Sequence, residues 1–208
     1  MKKSLVILML LGFIVSVNAQ IDSTQQYLPI TISYYGDLYT HPGLKLSTEY
    51  VLGERVIEKK RSKGRVKVRH KQYVPKLSLT YTHHAAYYNA FLLGGEMNFR
   101  KLKPSSGFRV DKILGMGYMR AFNAGKTYEV DDNMNISKVP LAGHNQFFMS
   151  FAFGFSKLFV ETKQIPLAWH IRQSFTVYMP NNGAFGGILG FEVGVSYFPT
   201  FKKKNNEK

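Results

Sequence analysis

Residues 167–179, LAWHIRQSFTVYM, alternate so strictly that one physical choice governs the rest of the chain. In an extended strand successive side chains point to opposite faces. Leu167, Trp169, Ile171, Phe175, Val177 and Met179 therefore share one face, and Ala168, His170, Arg172, Ser174, Thr176 and Tyr178 share the other. Only Gln173 breaks the apolar row. Whichever face turns inward decides the class and the location of the protein.

The same period of two recurs along nearly the whole sequence, whereas a helical period is hard to find. It predicts eight strands, at 29–36, 43–58, 65–83, 89–103, 108–122, 145–159, 166–178 and 187–201. The turns RSKG (61–64), KPSS (103–106) and ETKQI (161–165) are short. They alternate with the connections 37–42, 84–88, 123–144 and 179–186, which are longer on average. The longest, 123–144, is expected to contain a small hairpin around Asp132–Asn135, with Asp131, Asp132 and Asn133 at its tip.

The N-terminus reads as an export signal. Lys2 and Lys3 precede the apolar run Leu5–Val15, and VNA (Val17–Ala19) supplies a small-residue cleavage pattern. That run falls short of the roughly 20 residues a spanning helix needs. The expected organisation is a signal peptide over 1–19, one domain over 20–201, and a polar basic tail over 202–208. The chain has no cysteine, so no disulfide staples it. Its formal charge of +15, or +13 without Lys2 and Lys3, suits anionic lipid or another polyanionic surface. Export argues against nucleic acid as a partner. No cofactor and no metal are expected.

Sorting every strand by parity gives one face of Leu, Phe, Met and Tyr, as in Phe147, Met149, Phe151, Phe153 and Phe155. The opposite face carries Gly, Ser, Thr and scattered charges, as in Gly94, Glu96, Asn98 and Arg100. A soluble lipocalin-like barrel would turn the apolar face inward, and a membrane barrel would turn it outward. An eight-stranded barrel has an interior only just wide enough for side chains to fill. Some thirty large apolar groups would overfill it, whereas Gly, Ala and Ser fit. A water-facing surface, conversely, has little use for rows of glycine, which weaken strands. The polar face is therefore expected inside, and hydrocarbon would force the sheet to close, since it tolerates no unpaired edge. Tyr27, Tyr34, Tyr39, Tyr73, Tyr81, Tyr87, Tyr118, Trp169, Tyr178, Tyr197 and Phe201 lie near strand ends, as aromatic girdles require.

On these patterns the mature chain resembles small outer-membrane β-barrel proteins. The stretches SYYGDLYTHPGLKLSTEYVLG, TYEVDD and LAWHIRQSFTVYMPNNGAFGGILGFEVGVSYF make it most similar to a Bacteroidota-type outer-membrane barrel family. The resemblance implies an eight-stranded antiparallel up-and-down transmembrane barrel with short periplasmic turns and longer extracellular loops. It also implies contact with outer-membrane lipids and lipopolysaccharide, and insertion by the barrel-assembly machinery. It implies no specific activity.

Three groups of residues could carry chemistry. The predicted lumen set is Lys45, Glu49, Lys76, Glu96, Arg100, His170, Arg172 and Glu192. Opposite charges in so narrow a space must pair, because an isolated buried charge costs several kcal/mol. An ion-paired plug is favoured over a proton or ion path. His41, His83, His84 and His144 fall on the loop side, where imidazoles could share a metal. Their spacing is unconvincing, and solvated loop histidines are favoured. Some eight-stranded outer-membrane barrels edit lipid A as palmitoyltransferases or deacylases, using His, Ser and a carboxylate. Here His84, Ser47, Ser174 and Glu49 are the candidates, without any GxSxG motif to support them.

The basic run EKKRSKGRVKVRHK (58–71) is expected to protrude into the periplasm as a patch of Lys59, Lys60, Arg61, Lys63, Arg65, Lys67, Arg69 and Lys71. It would lie next to anionic headgroups or the cell-wall layer. The favoured reading is a monomeric barrel with a plugged polar lumen and a structural or surface-interaction role through loop 123–144. The alternatives are a lipid A-modifying acyltransferase or deacylase and a narrow, porin-like passive channel.

Overall fold

A computed structural model describes residues 28–37, 40–60, 66–84, 86–159, 165–181 and 184–199. The expected signal peptide, the basic tail, and Arg61, Lys63 and Arg65 at the hairpin tip lie outside the described residues, as do Tyr27, Tyr39 and Phe201. The described strands are β1 (Ile30–Gly36), β2 (Gly43–Glu49), β3 (Gly53–Lys60), β4 (Val66–His84), β5 (Tyr88–Lys103), β6 (Phe108–Asn123), β7 (Thr127–Val130), β8 (Ile136–Val139), β9 (Gly143–Leu158), β10 (Leu167–Asn181) and β11 (Ala184–Tyr197).

Antiparallel pairing runs β2-β1-β11-β10-β9-β6-β5-β4, and β4 pairs back to β2, so the sheet closes on itself. The result is an eight-stranded up-and-down barrel, as the alternation predicts. The strand predicted over 43–58 is split into β2 and β3, which both pair with β4. Glu49 pairs with Lys76 and Gly53 with Tyr73, so three residues (50–52) face two (74–75). This is a β-bulge, and it lies beside Pro75, which has no N–H to give to the ladder. Tyr50 donates its N–H to the Pro75 carbonyl at 3.0 Å and Leu52 to the Tyr73 carbonyl at 2.9 Å, which carries the seam across the irregularity. The extra residue also shifts the phase of β3: Arg55 pairs with Lys71 and shares its face.

The two ends differ less than the sequence suggests. β5 passes to β6 through a single 3-10 turn, Pro104–Ser106, closed by Gly107 at φ +64°, which the left-handed conformation favours. At the opposite end β6 reaches β9 through residues 124–142, which include the β7–β8 hairpin predicted around Asp132–Asn135. Of the other connections there, 37–42 has the expected length, whereas β4 and β5 leave only 85–87 between them, and β10 and β11 only 182–183.

Burial follows parity around the whole wall. Met116 is 65% exposed and Phe147 67%, while His170 is 2% and Glu192 1% exposed. The apolar face points out and the polar face points in. Gln173, the one polar residue in its outward row, donates Nε2–H to the Gly190 carbonyl of β11 at 2.7 Å, so its amide is not left bare. Tyr73, Tyr81, Tyr118, Trp169 and Tyr197 point outward as girdle residues should. Tyr178 does not: it is buried in the lumen, as its parity with His170 and Arg172 requires.

Candidate functional site

The inward glycines make the lumen's contents possible. A Cβ on Gly94 would lie 2.9 Å from the Phe148 ring. One on Gly154 would come within 2.6 Å of Arg172 Cγ. Large inward side chains thus sit opposite bare backbone on neighbouring strands, and the barrel interior fills without widening.

Glu192 on β11 is the hub of the filling. Its Oε1 accepts from Arg172 Nη1 at 2.9 Å and Ser33 Oγ at 3.2 Å, and Lys76 Nζ lies 3.4 Å away. His170 Nε2 approaches the same oxygen at 2.9 Å, and Lys45 Nζ reaches Oε2 at 3.1 Å. Lys45 also meets Glu96 at 2.6 Å, and Lys76 lies 3.6 Å from that carboxylate. Arg172 then links this cluster to a second one through Asp111 Oδ2 at 3.1 Å. Asp111 accepts further from Arg100 Nε at 3.0 Å, Asn98 Nδ2 at 2.9 Å and Ser156 Oγ at 3.0 Å. Arg100 Nη2 contacts both oxygens of Glu49 at 2.8 Å.

All eight residues predicted for the lumen are buried and joined in this network. Every strand of the barrel wall contributes a partner, from Ser33 on β1 to Ser156 on β9. Asp111 and Arg109 are buried there as well, although the sequence reading omits them. The signal was present: both share the parity of the inward Gly115 and Gly117 on β6. Lys45, Lys76, Arg100 and Arg172 face Glu49, Glu96, Asp111 and Glu192, so these eight charges balance. The space left beside Lys45, Glu96 and Glu192 is about 20 Å³, room for about one water.

An apolar cluster caps the charges toward the loop end, formed by Ala90, Leu92, Met119, Ala121, Phe148 and Tyr178. Toward the turn end Val74, Leu102 and Leu158 are buried, with Arg109 directly opposite Leu102. A proton or ion would have to cross the loop-end cluster and the ion-pair network, and the arrangement can do chemically what a plug does.

Above the loop-end layer opens a cup of about 450 Å³, lined by His41, His84, His144, Tyr88, Tyr178 and Gln146 among others. The His41 and His84 rings meet edge to face, 4.5 Å between centroids. His41 Nδ1 lies 3.0 Å from Asp37 Oδ2, and Asp37 Oδ1 accepts from the backbone N–H of Thr40 at 2.6 Å and of His41 at 2.7 Å. Burial pushes the Asp37 carboxyl up, but the hydrogen bonds from Thr40 and His41 outweigh it and hold the group well below the usual carboxylate range. Three of the four loop-side histidines thus share the cup. His83 is turned to the outer wall, with Nδ1 2.6 Å from Asn89 Oδ1. No group of three or more His, Cys, Asp or Glu among the described residues has metal-binding geometry.

The enzyme candidates are not brought together. His84 lines the cup, while Ser47, Ser174 and Glu49 are buried in the lumen. Ser47 pairs with Ser78, six positions along β4 from His84, about 20 Å at strand rise. Glu49 is held by Arg100.

In the basic hairpin, Arg69 and Lys71 are exposed, and Lys67 is half-buried. Lys59 and Lys60 belong to β3 by backbone alone.

No family model matches the chain, and no curated protein matches it. Two solved structures are similar to it. One is the outer membrane enzyme PagL, with a TM-score of 0.43 and 9% identity, covering 82% of this chain and 97% of that one. The other is the N-terminal β-barrel domain of Pseudomonas aeruginosa OprF, with a TM-score of 0.37 and 10% identity, covering 83% of this chain and 100% of that domain. The barrel assignment rests on the strand ladders and not on these likenesses.

Proposed function

We propose that this chain is an integral outer-membrane barrel, exported with a signal peptide over 1–19 that is then cleaved, with a sealed lumen and a structural or surface-interaction role. The observation that carries the reading is the inside-out distribution of side chains around a closed sheet. Rows of Leu, Phe and Met cover the outside, and hydrogen-bonded ion pairs fill the axis. In water each fully exposed Leu or Phe forgoes about 1.5–3 kcal/mol of burial, whereas acyl chains solvate the band without that loss. Closure removes every sheet edge from the hydrocarbon.

In this reading the β7–β8 arm projects from the outer surface. Tyr128, Val130, Met134, Ile136 and Leu141 are exposed on it or beside it, around the polar tip at Asp131, Asp132 and Asn133. That is where an extracellular partner would engage. The alternatives lose support: the cluster around Phe148 and the ion pairs beneath it obstruct a channel, and His84 stands apart from the proposed nucleophiles.

The test combines three measurements on the full chain. Migration in a gel should differ before and after boiling, and planar bilayers should show no conductance steps. Deleting residues 127–139 should abolish binding of intact cells to surfaces while leaving the heat-modifiable fold. Solubility without detergent and migration unchanged by boiling would overturn the location, and stepwise conductance would overturn the plug.

A further inference from the structure

Carboxylates on the described barrel wall keep to its inward parity. Glu49, Glu96, Asp111 and Glu192 point into the lumen, and Glu54 and Glu58 take the opposite parity to Arg55 on β3. No Asp or Glu among the described strand residues of the eight-stranded wall points outward. Among the described residues, the outward charges at the turn end are all cationic.

Three of these stand in one row. Arg55 on β3 pairs directly with Lys71 on β4, which pairs directly with Lys101 on β5. All three are exposed. Paired residues share a face with Cβ atoms about 4.5–5.5 Å apart, and like charges placed so destabilise a sheet. Among the described residues none of the three makes an ion pair; the carboxylate of Glu54 is taken by His70 and Gln72 on the other face. A row of bare cations in register calls for an anion from outside the chain.

Its place on the wall identifies the anion. The next outward pair up the ladder is Tyr73 and Phe99, whose rings meet edge to face at 5.9 Å. Above them the row continues through Leu77, Met97 and Leu114 into the apolar band. Lys112 pairs with Phe99 at the aromatic level, where its long stem can carry the ammonium toward the rim. Cations thus lie immediately past an aromatic edge on an acyl-facing surface, where phosphodiesters stand when acyl chains lie against the band. A soluble polyanion would need no such continuity with Tyr73 and Phe99.

We propose that Arg55, Lys71 and Lys101 bind the phosphate of anionic phospholipid in the leaflet at the turn end. The inference rests on the membrane reading above and adds a lipid class and a site to it. Each cation near an anionic surface contributes about a fivefold gain in binding, so the row together is worth on the order of a hundredfold.

The test uses the full chain folded in zwitterionic detergent, with retained lipid read by native mass spectrometry. Phosphatidylglycerol should be retained over phosphatidylethanolamine. The triple variant Arg55→Gln, Lys71→Gln, Lys101→Gln should lose that preference by on the order of a hundredfold, while Arg55→Lys, Lys71→Arg, Lys101→Arg keeps it. Heat-modifiable migration shows that each variant is folded. Equal retention of the two lipids, an undiminished preference in the triple Gln variant, or displacement of phosphatidylglycerol by glycerol phosphate would overturn the proposal. The single tryptophan, Trp169, separates the two readings. Quenching by brominated acyl chains without headgroup preference sinks the lipid site alone, and absence of quenching sinks the membrane placement with it.

Discussion

Arg172 and Glu192 stand directly opposite each other in the β10–β11 ladder and meet inside the barrel, Nη1 donating to Oε1 at 2.9 Å. Lys45 and Lys76 crowd the same carboxylate from β2 and β4. Glu192→Gln should therefore leave buried cations uncompensated and destabilise the barrel by about 3–5 kcal/mol. Glu49→Gln should cost less, because Arg100 keeps Asp111. The temperature at which the compact gel band converts to the extended one measures both. Equal shifts would mean that Glu192 is no hub.

The glycine rows should couple to the bulky lumen residues they face. A Cβ on Gly94 meets chiefly the Phe148 ring, at 2.9 Å. Gly94→Ala is expected to destabilise the barrel, and Gly94→Ala with Phe148→Leu to recover part of that loss. A double-mutant cycle in urea should return a coupling of about 1 kcal/mol. Strict additivity would show that the ring moves aside freely.

The β7–β8 arm should respond to acid. Backbone and side-chain hydrogen bonds from Asn135 hold the Asp131 carboxyl below its ordinary value. A depressed folded pKa contributes order that is complete above the unfolded value and is lost as pH falls through the folded one. Proteolysis within 127–139 should accelerate on acidification, and Asp131→Asn should accelerate it at neutral pH. A rate indifferent to both would remove Asp131 from the account of the turn.

Deleting Val51 tests the bulge. Val51→Ala, at an exposed site, should stay within about 0.5 kcal/mol of the parent. Removing the residue altogether leaves 50 and 52 opposite 75 and 74, so the ladder runs on without a bulge and Arg55 stays outward opposite Lys71. The heat-modifiable fold and the β3–β4 register should survive the deletion. Loss of either would mean that the bulge does more than absorb one extra residue.

Strand number, parity and the buried charges were legible because a closed wall has a polar inner face and an apolar outer one, and each side chain belongs to one of them. Gln173 and Tyr178 obey the same logic once the Gly190 carbonyl and the lumen are seen. Asp111 and Arg109 were within reach of parity too. What parity cannot give is contact between strands: the distance from His84 to Ser47, and the gathering of His41, His84 and His144 around one cup, depend on shear and register. Arg55 escaped for a different reason, since the bulge beside Pro75 reverses its phase and no local pattern announces a single extra residue.

β1 is short. Its seven residues rise about 23 Å along the strand, and a tilt near 40° leaves about 18 Å of height, against an apolar band of about 25 Å in such barrels. β2, also of seven residues, is prolonged past the bulge by β3, so the low stretch of wall is one strand wide. In the proposed membrane placement, lipid meeting Ile32 on β1 would pinch inward by several ångströms, while lipid meeting Leu93 and Met116 would not. A lopsided rim of this kind would tilt the cylinder in its bilayer and give it a preferred side for neighbours, even with no binding surface devoted to them.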